Sequence, residues 1–206
     1  MTATPRTLLQ IAGAPAHPSP LARSALVIID AQLEYITGGL PLAGVAAAID
    51  EAARLLALAR QNGVPVFHIV QYAPAGRPLF AEDGPTAAIV PQLTPQDGEA
   101  MVRKSLPNAF AGTDLHERIQ ASGRSELIVA GFMTHMCVSA TVRCALDLKY
   151  RTTVVADATA TRALPDPLGG AIAAETVHRT ALAELADRFA VVVKDTAALT
   201  AAAQAA

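Results

Sequence analysis

Three residues stand where strand-like runs of this chain end, and together they could run nucleophilic chemistry. The stretch GFMTHMCVSATVRCALDLKY, Gly131 to Tyr150, follows the apolar run ELIVA and holds both cysteines of the chain. Thr134 is placed to cap a helix by accepting from a backbone N–H two or three residues on. Cys137 then falls in the first turn, where unpaired N–H groups and the helix dipole favour an anion. The spacing therefore predicts a thiol pKa below the free value of about 8.5, which suits a nucleophile. Cys144, two turns deeper, reads as a small buried hydrophobe with an unreactive thiol.

A nucleophile needs a base and a group that stabilises charge. Asp30 closes the run SALVIID, and Lys104 follows AMVR in VRKSLPNAF. Taken singly, each has an ordinary reading: a turn aspartate, a solvated lysine, a core cysteine. Gln32 and Tyr35, just beyond Asp30, and Asn108 and Phe110, just beyond Lys104, are candidate substrate-binding residues, with loop packing as the alternative. His135, inside THMC, is a further pocket candidate. His68, in VPVFHIV, reads as a hydrogen-bonded structural histidine, and His116 and His178 as surface or interface residues. No histidine has a second ligand at metal-site spacing, so no metal and no cofactor are expected. Neither a dinucleotide nor a P-loop glycine pattern occurs.

These residues need a scaffold that brings strand ends together. Ala25–Ile29, Val64–Val70, Ala100–Arg103, Glu126–Ala130, Thr152–Ala156 and Phe189–Val193 read as strands. Helical patterns run over Val45–Gln61, Asp114–Ala121, His135–Lys149 and Gly170–Asp187, with a short one after Asp195. The alternation predicts an α/β fold, a three-layer α/β/α sandwich with a mostly parallel, Rossmann-like sheet of about six strands. Active residues then gather at the carboxyl ends of the strands. Residues 1–22 read as an irregular lead-in and 23–206 as one domain. The proline-rich stretch Gln71 to Glu99 is long enough to wall or lid a site.

Composition narrows the partners. The 206 residues, 52% hydrophobic, suffice for one substantial core. A formal charge of -2, three Tyr, five Phe and no Trp leave neither a basic face nor a stacking platform, so nucleic acid is not an expected partner. No segment approaches ~18 consecutive apolar residues, which argues against a membrane span. Two cysteines seven apart on one helix lie roughly 10 Å apart, too far for a disulfide, and free thiols favour a reducing cytoplasm.

SALVIIDAQLEY, VRKSLPNAFAGTDL, GFMTHMCVSATVRCALDLKY and VVADATATR, in this order, resemble the successive landmarks of the isochorismatase-like cysteine hydrolase superfamily, from Ser24 to about Thr200. The resemblance implies a catalytic triad of Asp30, Lys104 and Cys137. It also implies a non-proline cis peptide at Phe132–Met133 and an oxyanion hole built from the backbone N–H groups of Met133 and Cys137. Nicotinamidases of the superfamily carry an Asp-x-His metal set after the second strand, where this chain reads HIVQYAPAGRP. True isochorismatases lack the cysteine. The combination implies a cysteine amidohydrolase that cleaves a C–N bond (amide, lactam, carbamoyl or ureido) of a small molecule through a thioester. The alternatives are an isochorismatase-type ether hydrolase and a non-catalytic oligomeric binding protein. Alanine-rich helices such as VHRTALAELAD, with the resemblance, imply a homodimer or larger homo-oligomer. The substrate itself is left to variable loops such as Gln71–Glu99 and Leu164–Gly170.

Overall fold

The computed structural model describes residues 4–203. Its strands are β1 (Ser24–Ile29), β2 (Val66–Gln71), β3 (Ala100–Lys104), β4 (Glu126–Phe132), β5 (Arg151–Ala160), β6 (Leu164–Pro165), β7 (Ala171–Ile172) and β8 (Val191–Val193). Its α-helices are α1 (Leu8–Ile11), α2 (Val45–Gln61), α3 (Leu115–Ala121), α4 (Ser139–Asp147), α5 (Ala174–Arg188) and α6 (Thr196–Ala203). Six strands form a parallel sheet in the order β3-β2-β1-β4-β5-β8, while β6 and β7 pair as a separate antiparallel hairpin.

The two central strands, SALVII and ELIVAGF, are buried along their whole length, as unbroken apolar runs in a sheet covered on both faces must be. Helix α2 presents Ala48, Ile49, Ala52, Leu55, Leu56 and Ala59, at helical spacing, to one face. Leu199 of α6 joins it there. The other face is covered by α3, α4 and α5 through Leu115, Ile119, Val142, Ala145 and Leu185.

From β1 the chain turns to β2 on one side, and from β4 to β5 on the other. The strand order therefore reverses between β1 and β4, and the crevice at their carboxyl ends is the natural place for a site in an open parallel sheet. Asp30 directly follows β1, and the GFMTHMC segment leaves β4 at the same edge.

Two expectations about local structure change and a third is narrowed. The lead-in contains one helical turn, α1, whose Thr7 and Gln10 form a reciprocal capping box and whose Leu8 amide donates to Asp187 of α5. The pattern from Gly170 begins with the second strand of a hairpin, and its helix starts at Ala174. The stretch from 72 to 99 is anchored as a wall. Leu33 N donates to Ala88 O, Val90 N donates to Ala31 O, and Val90 and Leu93 are wholly buried against α2.

Candidate active site

The site begins with a close approach of two backbones. Gly131 has φ of 109°, and a β-carbon there would collide with the backbone of Ile29 on β1, so only glycine fits. One residue further along each strand, the chain changes direction. Asp30 takes a left-handed φ of 50°, a conformation that aspartate tolerates better than most residues, and the Phe132–Met133 peptide is cis.

Met133 leads into a π-helical turn, Thr134–Val138, ahead of α4. Met133 O accepts from Met136 N at 3.0 Å and Val138 N at 3.2 Å, and the amide of Cys137 does not share that acceptor. The Met133 amide donates to no protein group among the described residues. The expected cap is absent: Thr134 makes no capping bond, and its hydroxyl instead meets His178 Nδ1 of α5 at 2.9 Å. A wide turn rather than a first α-turn thus carries Cys137.

The three candidate catalytic residues converge. Lys104 Nζ lies 2.8 Å from Asp30 Oδ2 and donates to Cys137 Sγ at 3.4 Å, with the side chains of Asp30 and Lys104 completely buried and Cys137 6% exposed. The 2.8 Å approach of the Lys104 ammonium to Asp30 Oδ2 is a wholly buried ion pair.

Burial raises the Asp30 pKa above the usual carboxylate range, against the pull of Lys104, Cys137 and the Gln71 backbone. The thiol moves the same way. Burial first, then the Asp30 charge, push the Cys137 thiol up to about 12 despite Lys104. This reverses the low pKa expected from helix position, because desolvation outweighs the partial charge of a helix start. The resting cluster holds a thiol, and ionising it requires a partner that takes the proton.

Gln71, which sequence reasoning passed over, completes the cluster by accepting from Lys104 Nζ at 2.7 Å. Gln71 ends β2 as Asp30 follows β1 and Lys104 ends β3, so the strand-end rule that found the others applied to it equally.

The candidate substrate-binding residues divide. Gln32 is corrected to a strut. Both donors of its amide are spent on Gln71 O (2.9 Å) and Ala87 O (2.7 Å), and its oxygen accepts from Gln71 N at 2.9 Å. Tyr35 packs edge-on against Phe80 and Phe132, and its phenol pKa is raised by burial and by the charges of Asp30 and Cys137, which places it beside the cluster. Asn108 accepts from Phe110 N at 3.0 Å, and its amide nitrogen donates to no protein group among the described residues. Phe110 is corrected: its ring stacks on Tyr150, which precedes β5 and so lies toward the opposite edge of the sheet.

His135 Nδ1 meets Thr161 Oγ1 at 2.5 Å, and the residue lines a cleft of about 290 Å³ with Leu164, Ile172 and Val177. Burial, then Arg162, hold its pKa below the ordinary imidazole value. His178 lies in a cleft of about 360 Å³ with Asp157, Thr159 and Thr161, and His116 bonds Tyr150 at 2.9 Å, so neither is a plain surface residue. His68 is the structural histidine expected, bonded to Glu99 at 2.8 Å. Cys144 is partly exposed and unpaired, a correction to its reading as a buried hydrophobe.

Known proteins resemble the chain over most of its length. A family model described as isochorismatase domain matches residues 24–197. A secreted isochorismatase effector of Verticillium dahliae is 39% identical over 181 residues, covering 88% of this chain and 93% of its own length. A maleamate amidohydrolase of Pseudomonas putida is 36% identical over 152 residues, covering 65% of this chain and 70% of its own. The crystal structure of an isochorismatase from Pseudomonas putida superposes with a TM-score of 0.86 at 41% identity, covering 93% of this chain and 97% of that one.

Proposed function

Since the chain belongs to the isochorismatase domain family, we propose that it hydrolyses a C–N bond of a small molecule with Cys137 as nucleophile, Asp30 as base and acid, and Lys104 as the cation that serves both. The observation that carries this reading is the pair of contacts made by one buried ammonium, 2.8 Å to Asp30 and 3.4 Å to Cys137. A raised carboxylate pKa suits the role. It narrows the gap to the thiol, so that Asp30 can take the thiol proton as sulfur attacks the carbonyl carbon.

The carbonyl oxygen then carries the displaced electron pair, and in this reading the backbone amides of Met133 and Cys137 receive it, the former being a donor with no protein acceptor among the described residues. Collapse expels the amine, which takes the proton from Asp30 and leaves an acyl thioester on Cys137. Water attacks the thioester while Asp30 accepts its proton, the acid departs, and the proton returns to sulfur. Tyr35 and Asn108 remain the substrate-facing candidates. No step in this scheme draws on a metal or cofactor.

Among the described residues no helix is long and apolar enough to cross a membrane. A reducing, cytoplasmic setting suits an unpaired catalytic thiol, which oxidation would silence. A screen of small amides, maleamate and ureido acids, read by release of ammonia or amine, tests the function. Turnover by wild type that is absent from Cys137→Ala supports it. No turnover across the panel, or turnover that Cys137→Ala retains, contradicts it.

A further inference from the structure

We propose that Gln71 is a positioning residue that sets the proton balance of the cluster by offering the Lys104 ammonium a neutral acceptor. The proposal rests on the reading of Cys137 as nucleophile. An ammonium has three N–H donors, and Lys104 Nζ has three neighbours: Asp30 Oδ2 at 2.8 Å, Gln71 Oε1 at 2.7 Å and Cys137 Sγ at 3.4 Å. Gln71 has the shortest of these contacts and is the only neutral group among them that cannot change charge. It therefore fixes where the ammonium points while leaving its charge to be shared between one carboxylate and one sulfur.

The backbone of Gln71 is itself held. Gln71 and Lys104 face each other in the β2–β3 register, and the side chain of Gln32 clasps Gln71 N and O at 2.9 Å each while reaching Ala87 O in the wall. Strand ends β1, β2 and β3 are thus tied into one frame, with the Gln71 side chain as the part that touches Lys104. Gln71 acts through Lys104 and is given no contact with the reacting atoms.

The charge at position 71 then controls Asp30. A carboxylate there would draw the ammonium toward itself and away from Asp30, and would stand beside Asp30 as a like charge, and both effects raise the pKa of Asp30. Methionine, of similar length but without a strong acceptor, would leave the ammonium unaimed. The rate of Cys137 alkylation by iodoacetamide, followed by peptide mass spectrometry from pH 4 to 10, reports the proton balance without any substrate. Its acid limb marks the pH at which Asp30 becomes able to take the thiol proton.

The expected result is that Gln71→Glu moves the acid limb up by at least about one pH unit. Gln71→Met should slow alkylation at neutral pH by about tenfold or more and move the limb less, with circular dichroism unchanged in both. Limbs and rates equal to wild type in both variants would overturn the role of Gln71 while leaving the nucleophile standing. If Gln71→Met fails to fold, the limb of Gln71→Glu decides alone. A wild-type Cys137 that takes no label at any pH would sink the nucleophile reading and this proposal with it.

Discussion

Gly131 of β4 stands so close to Ile29 of β1 that a β-carbon at 131 would overlap the Ile29 carbonyl oxygen. The contact lies one residue before Asp30 and two before Met133, so the two halves of the site are registered against each other through bare backbone. Gly131→Ala must push the strands apart at a position whose φ of 109° already excludes a side chain. The expected cost is at least about 2 kcal/mol of stability, combining overpacking with a disallowed φ. Chemical denaturation measures it, and a loss below about 0.5 kcal/mol would show that the strands adjust freely.

Thr134 and His178 join the turn that carries Cys137 to helix α5 through a 2.9 Å hydrogen bond. Thr134→Val should cost about 1 kcal/mol of stability and His178→Ala a similar amount, with the double variant losing little more than either. Because the bond bears on the turn, kcat should fall about tenfold or more while KM changes little. Additive losses in the double variant would mean that the two residues act separately.

Glu99 makes a prediction about acid stability. Burial pushes its carboxyl upward, but hydrogen bonds from Arg60, the Gln96 amide and His68 win and bring it down to about 2. A folded pKa below the unfolded value of about 4.3 means that this stabilisation is fully present above that pH and is lost as pH falls toward about 2. Glu99→Gln should destabilise the protein at neutral pH and flatten the decline between about pH 4 and pH 2. Parallel stability curves for the two proteins over that window would contradict the assignment.

Much of this was legible beforehand, for physical reasons that also mark the limit. Buried parallel strands such as SALVII and ELIVAGF must be apolar throughout, and strand ends in such a sheet share an edge, so Asp30, Lys104 and Cys137 could be placed together from order alone. Gln71 obeys the same rule, but a neutral amide at a strand end carries neither charge nor nucleophile to single it out. Gln32 and Phe110 were mistaken because nearness in sequence says nothing of direction: one is clasped to Gln71, the other is turned toward Tyr150. The thiol pKa is reversed because it is set by burial and by Asp30 and Lys104, groups distant in sequence, rather than by position in the turn. The hairpin of β6 and β7 has two residues per strand, too few for any periodicity.

That hairpin and helix α5 motivate a proposal on assembly. Leu168, at the hairpin tip, is 95% exposed, and α5 displays small and polar residues such as Thr176, Thr180 and Ala183 to the outside. A homo-oligomer of at least two chains is expected, and light scattering at micromolar concentration reads it against the single-chain mass of 21.3 kDa. Leu168→Ser should weaken the assembly, and a wild-type monomer at that concentration would rule the proposal out.

The central claim is that the reaction passes through an acyl group on Cys137 with Asp30 as its proton partner. Acid quenching during turnover of an amide substrate, followed by peptide mass spectrometry, tests it most directly. The account predicts an acyl mass on the peptide containing Cys137 and none on Cys144, with Cys144→Ser still active. Asp30→Asn should lower the rate of acyl formation by about 10²- to 10⁴-fold while the protein stays folded. Full activity of Cys137→Ser on the same substrate, or turnover with no acyl species on Cys137 when the second step is rate-limiting, would contradict it.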